Sequence, residues 1–164
     1  MTSSRQLENL VVDKVLQHAD LAVYTPNIIL HEVTETAESE LSPLMLRQRI
    51  NFFQLLVNRT ETEKGLNRRE LVFTAALAYF LERDAKGENF RVVRDALEKV
   101  QDLVVKYVSA DDSGLLDYVE MNQQAGGLPT ARGGVTNISS GTVGGVSCYL
   151  ASFAFKAVKS VALE

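Results

Sequence analysis

The chain has 164 residues, of which 46% are hydrophobic and 23% are charged, and its formal net charge is −4. This profile predicts one globular domain with a sizeable core. The acidic balance argues against a general nucleic-acid-binding protein, which needs cationic side chains to displace counterions from phosphates. The single cysteine, Cys148, excludes an internal disulfide and a cysteine-rich metal site.

The start of the chain is polar and then amphipathic, without the continuous apolar stretch of a signal peptide. The longest apolar run is also shorter than the roughly 20 residues that a helix needs to cross a bilayer. We therefore expect a cytoplasmic protein with no membrane partner.

The first predicted helix begins after Ser3, which forms a capping box with Gln6. Its spacing predicts an apolar face made of Leu7, Leu10, Val11, Val15 and Leu16. The next stretch, Pro26 to Leu41, is ambiguous at its front, because the β-branched Ile28 and Ile29 also suit a short strand.

Ser42-Pro43 resembles a cap followed by a first-turn proline, which predicts a helix from Pro43 to about Asn58. The run from Leu71 to Leu81 is then apolar on every side of a helix, so such a helix must be surrounded by protein. Asn67 with Glu70 resembles another capping box, and Gly87 fits a helix end. We therefore predict a central buried helix over about residues 68–86.

A further helix is predicted from Asn89 to about Val108, because one apolar stripe recurs every three or four residues. The stripe consists of Phe90, Val93, Leu97, Val100, Val104 and Tyr107. A turn at Asp111 to Gly114 and a short helical segment to about Met121 follow.

The segment from Asn122 to Gly145 contains seven glycines and almost no large apolar residue. A connection of this length is usually functional or disordered. The C-terminal stretch, Val146 to Ala162, fits a helix, and it also fits a strand because its aromatic residues alternate. Its alanines and spaced lysines favour the helix.

These elements predict an all-α fold, a single-domain bundle of five or six helices around the central one. Within it, residues 1–121 form the helical core, residues 122–145 a flexible glycine-rich loop, and residues 146–164 a C-terminal element that packs on the core or on a neighbouring subunit.

Candidate chemistry is sparse. His31, Glu35 and Glu38 would share a helix face, but an exposed acidic face explains them better than a metal site, because the Glu-x-x-His pairs of di-iron bundles are absent. Cys148 lies in an apolar run and is best explained as a small core residue. The glycine-rich segment lacks a phosphate-loop motif. We therefore assign no catalytic residue, metal ligand or cofactor, and a non-enzymatic role is favoured.

The favoured function is a non-catalytic assembly or adaptor protein that works through protein–protein contacts. It would act as a homo-oligomer or within a larger complex such as a virion. The glycine-rich loop and the aromatic C-terminal segment motivate this hypothesis. The candidate interaction loop consists of Gly126, Gly127, Leu128, Pro129, Arg132, Gly133 and Gly134.

Two alternatives remain open. The first is a helical bundle that binds a small apolar ligand or cofactor, with or without an enzymatic use, in a pocket lined by Tyr79, Phe80, Phe90 and Tyr107. The second is an adaptor that contacts nucleic acid through a basic patch, which the acidic balance disfavours. That candidate patch consists of Arg47, Arg49, Arg68 and Arg69.

Overall fold

The protein is a mixed α/β structure dominated by one sheet. The computed structural model describes residues 2–24, 27–30, 50–121 and 137–162. In these residues a six-stranded sheet carries two helices on one of its faces. The predicted all-α bundle of five or six helices is therefore wrong.

Three strands separate the two described helices along the chain. The first helix is α1 (Ser4–Val11), and the second is α2 (Glu88–Leu103). The strands are β1 (Ile28–Ile29), β2 (Asn51–Glu63), β3 (Arg68–Glu82), β4 (Tyr118–Met121), β5 (Asn137–Val143) and β6 (Val146–Ala162).

Three long antiparallel strands, β2, β3 and β6, form the centre of the sheet. The order is β1-β2-β3-β6-β4, and β5 also pairs with β6. β1 runs parallel to β2, and the other pairs are antiparallel. β6 thus pairs with β3 along one edge, while β4 and β5 share its other edge.

The predicted central helix over residues 68–86 is instead the strand β3. Odd-numbered positions from Leu71 to Leu81 face the helices, and even-numbered positions face the opposite side. Ala78 and Phe80 are buried on that opposite side. A strand buried on both faces has no polar side, so its apolar run resembles that of a buried helix.

Three further helix predictions are wrong. Residues 51–58, assigned to a helix from Pro43, belong to β2, and residues 43–49 lie outside the described part of the chain. The predicted short helical segment before Met121 is β4, and the C-terminal segment is the strand β6, as the alternative interpretation of its alternating aromatic residues predicts. Gly144 and Gly145 have positive φ and form the two-residue turn between β5 and β6, the connection that suits a twisted hairpin.

Both amphipathic helices are confirmed. Ser3 and Gln6 form the capping box of α1, and Leu7 and Val11 are buried. α2 begins at Glu88, and Gly87 precedes it with φ of 74°. Gly87 is thus left-handed, but it starts α2 rather than ending a central helix.

The main core lies between the helices and the sheet. Each helix continues for five residues as a π-helix, at Val12–Leu16 and Val104–Val108, and these two segments contact each other. Phe53 and Tyr79 pack edge to face with ring centroids 4.7 Å apart.

A partly buried polar network joins the chain before β1 to the start of β2. The Tyr79 hydroxyl donates to Asn51 Oδ1 at 2.8 Å, and Asn51 Nδ2 donates to the carbonyl oxygen of Tyr24 at 2.8 Å. Asn27 Nδ2 donates to the Asn51 carbonyl oxygen at 3.1 Å. Burial raises the pKa of Tyr79, so its phenol stays protonated and acts as a donor.

In the part of the chain that the structure describes, no helix combines the length and apolar character needed to cross a membrane.

Candidate interaction surface

Among the described residues, one face of the sheet carries no helix, and we call it the helix-free face. Its side chains are the even-numbered residues of β2, β3, β4 and β6, which line up in rows through the strand pairing. At one end a small cluster around Phe52 and Phe80, whose rings stack 4.7 Å apart, is buried.

Beyond that cluster the helix-free face is exposed or half-exposed across three successive rows. Most of the side chains in these rows are small, apolar or uncharged. The rows are Leu56–Ala76–Ala154, Asn58–Thr74–Lys156–Glu120 and Thr60–Val72–Val158–Tyr118. Only Val158 among them is buried, at 3% exposure.

The β2–β3 hairpin extends past the helices, and its residues 58–68, which we call the arm, are all exposed. At the end of the arm the Lys64 N–H donates to the Arg68 carbonyl oxygen at 2.8 Å, which places these two residues opposite each other. Leu66, in the turn between them, is 97% exposed. The arm therefore ends in two cationic residues on opposite strands, with an exposed leucine in the turn between them.

The edge of the helix-free face at β4 has the opposite charge. Tyr118 is 47% exposed, and the carboxylates of Glu70 and Glu120 act on it. Partial burial and these carboxylates, with that of Asp117, raise the pKa of Tyr118. We call Glu70, Tyr118 and Glu120 the tyrosine patch.

Asp117 lies just before the tyrosine patch, and its carboxylate already has partners within the protein. Its carboxylate accepts hydrogen bonds from Ser160 N at 2.7 Å and from Lys159 Nζ at 3.2 Å. The Ser160 N–H and the Lys159 ammonium lower the pKa of Asp117.

The predicted interaction loop lies between two strands of one edge. Gly126, Gly127, Leu128, Pro129, Arg132, Gly133 and Gly134 all fall in residues 122–136, outside the described part of the chain. Their flanking strands are described. Met121 of β4 pairs with Phe155, and Asn137 of β5 pairs with Ser152.

The segment therefore leaves and rejoins the edge of β6 at points three residues apart, about 10 Å at the usual strand rise. The rest of the predicted glycine-rich loop, residues 137–145, is ordered as β5 and a turn.

The two described members of the predicted basic patch point away from each other. Arg68 and Arg69 are consecutive in β3, so their side chains lie on opposite faces of the strand. Arg69 Nη1 bonds Glu61 Oε2 at 3.2 Å, whereas Arg68 lies at the end of the arm. Arg47 and Arg49 lie outside the described residues.

The four aromatic residues of the hypothetical ligand pocket are also dispersed. Tyr79 belongs to the main core and Phe80 to the cluster on the opposite face of the sheet. Phe90 packs against Tyr149, with centroids 5.7 Å apart, and Tyr107 lies 5.5 Å from His18. The structure does not bring these four rings to one cavity.

An open groove of about 510 Å³ lies beside the start of α1. Its lining residues are Thr2, Gln6, Ser113, Gly114, Leu115, Lys159 and Val161. Thr2 Oγ1 donates to the Leu115 carbonyl oxygen at 2.9 Å, and Lys159 is paired with Asp117. The polar side chains of the groove are therefore already hydrogen-bonded within the protein.

The described residues offer little else for chemistry. Cys148 is buried, and burial raises the pKa of its thiol. No group of three His, Cys, Asp or Glu side chains among the described residues is placed to hold a metal ion. His31, Glu35 and Glu38 lie outside these residues.

Sequence reasoning missed the arm and the tyrosine patch. Both depend on strand pairing, which places Lys64 opposite Arg68 and brings Glu70 near Tyr118. The usable signal was the alternation of bulky and small residues from Leu71 to Leu81, which has the period of a strand.

Comparison with known proteins adds no functional information. No protein-family model matches the chain, and no curated protein is significantly similar to it in sequence.

Proposed function

We propose that the protein is a non-catalytic assembly protein that self-associates, alone or within a larger complex, through the helix-free face of its sheet. The observation that carries the proposal is the contrast between the two faces. The helices cover one face, while three rows of the other expose small and apolar side chains such as Ala76. Two of these rows are mainly apolar, and the row between them, Asn58–Thr74–Lys156–Glu120, is polar. Such a mixture of apolar and polar side chains is typical of non-obligate protein interfaces.

The composition of the three rows suits a protein partner better than a small ligand. Leu56, Ala76 and Ala154 form an apolar row, and the charged Lys156 and Glu120 lie in the row beside it. Apolar side chains with scattered charges around them resemble the core and rim of an interface between proteins.

The area of the three exposed rows determines how strongly two copies are expected to associate. With rows about 7 Å apart and four strands about 4.8 Å apart, the three rows cover about 400 Å² in plane. A standard interface buries about 800 Å² on each partner. The three rows alone thus support a weak, concentration-dependent association, and a tight one needs more surface.

One aspect of the sequence argument no longer supports this function. The sequence predicts that aromatic residues of the C-terminal segment contact another protein, but Phe153 and Phe155 are buried in the protein's own core. The proposal therefore depends on the exposed rows and not on the C-terminal segment.

Light scattering coupled to gel filtration, over a wide range of protein concentrations, tests the proposal. We expect a mass above the 18.1 kDa monomer that falls toward the monomer when Ala76→Arg puts a charge in the middle of the apolar row. Ala110→Arg, at an exposed turn position, is the matched control and should not change the mass. A wild-type protein that is monomeric at every concentration would refute the proposal.

A further inference from the structure

We propose that the arm of one copy docks on the tyrosine patch of another copy, so that Lys64 and Arg68 meet Glu70 and Glu120 while Leu66 packs against the ring of Tyr118. This inference rests on the proposed self-association and names its contact.

The end of the arm is built for an anionic partner. Lys64 and Arg68 lie opposite each other on the same face of the hairpin, and neither forms an ion pair with another described residue. A nearby negative charge would relieve the repulsion between them. The side chain of Leu66, at 97% exposure, also gives the arm an apolar contact point that the monomer does not bury.

The tyrosine patch supplies the complementary groups. Glu70 and Glu120 form no ion pair with another described residue, and between them Tyr118 presents a half-exposed ring. An aromatic ring with a polar hydroxyl is a common anchor in protein interfaces. The opposite charges of the two sites give the match that sets orientation and specificity between partners.

A single copy cannot bring its own Leu66 to Tyr118, although Glu70 lies only two residues from Arg68 on the same face of β3. From Arg68 to Val72, in the row of Tyr118, the strand advances four residues, or about 13 Å, and Leu66 lies beyond Arg68. Tyr118 lies two strands further across the sheet, which adds about 10 Å. The hairpin is held in the sheet by β6 up to Ala162, opposite Arg68, so the arm cannot fold back over this distance.

The contact also supplies the surface that the three rows lack. Both the arm's two cations and the tyrosine patch lie on the helix-free face, so docking of the arm extends that interface without uncovering the core. When the partner returns this contact, the result is a two-fold dimer; when it does not, the contact continues into a ring or an open filament.

Charge reversal on each side gives a direct test. Variant one carries Lys64→Glu and Arg68→Glu, and variant two carries Glu70→Lys and Glu120→Lys. Since exposed ion pairs contribute a few tenths to 1 kcal/mol each, we expect each variant alone to associate about tenfold more weakly than the wild type. An equimolar mixture of the two variants should associate like the wild type, because each arm then meets a patch of opposite charge.

The control variant carries Lys86→Glu, just before α2, and Arg91→Glu, in its first turn, which is the same change in charge as in variant one at two exposed positions. It should associate like the wild type. Circular dichroism of every variant verifies the fold, and sedimentation velocity measures association.

The possible results separate this inference from the proposed function. If the wild type associates and variant one associates equally well, the arm is not the contact, and the proposed function stands. If each variant associates more weakly but their mixture does not associate like the wild type, the arm does not contact the tyrosine patch and docks at another site. If the wild type never associates, the proposed function itself is wrong.

Discussion

Removal of the Tyr79 hydroxyl tests how the end of the sheet is held together. Tyr79 is fully buried, and its hydroxyl lies 2.8 Å from Asn51 Oδ1 and 3.3 Å from the Tyr24 carbonyl oxygen. Tyr79→Phe keeps the ring and its edge-to-face contact with Phe53 but deprives the Asn51 oxygen of this donor. A buried acceptor that loses its donor costs about 1–2 kcal/mol.

Urea unfolding followed by circular dichroism, at one fixed protein concentration, measures the cost. For a slope of about 2 kcal/mol/M, the urea midpoint should fall by about 0.5–1 M with the slope unchanged. Tyr107→Phe is the control, since Tyr107 is only half-buried and its ring contacts survive. Equal midpoints for wild type and Tyr79→Phe would show that the network does not stabilise the fold.

Two further predictions concern carboxylates. Asp84 accepts hydrogen bonds from Glu88 N at 3.1 Å and Asn89 N at 3.2 Å at the start of α2. Asp84→Ala should therefore lower the free energy of unfolding by about 1 kcal/mol. Asp112→Ala, at an exposed position, is the control and should not change it. Asp117 has a lowered pKa because the Ser160 N–H and Lys159 favour its charged form. Charged Asp117 therefore stabilises the folded protein above the unfolded pKa of about 3.9, and this stabilisation is lost as the pH falls through the lower pKa of the folded state. Asp117→Asn should therefore make the melting temperature less dependent on pH below about 5, and an unchanged acid profile would contradict this assignment.

The sequence predicts the helices better than the strands, for a physical reason. α1 and α2 lie on the surface of the sheet, so one side of each meets water and the apolar residues recur with helical period. Their cap at Ser3 and their buried stripes could be derived from the sequence alone.

From Leu77 to Leu81, β3 is buried on both faces, so polarity does not alternate over this part of the strand. The alanines at positions 75, 76 and 78 favour a helix, and long-range pairing with β2 and β6 overrides that preference. Such pairing depends on residues far apart in the chain. Local patterns therefore could not place Tyr118 within reach of Glu70, or Lys64 opposite Arg68.

The split edge of β6 has a practical consequence for anyone who wishes to modify the protein. Because β4 and β5 hold their positions by separate pairing with β6, the register of the sheet does not depend on how many amino acids join them. Lengthening a connection adds little closure entropy, about 0.6 kcal/mol for each doubling. An epitope tag or fluorescent reporter grafted between Met121 and Asn137 should therefore be tolerated by the folded protein.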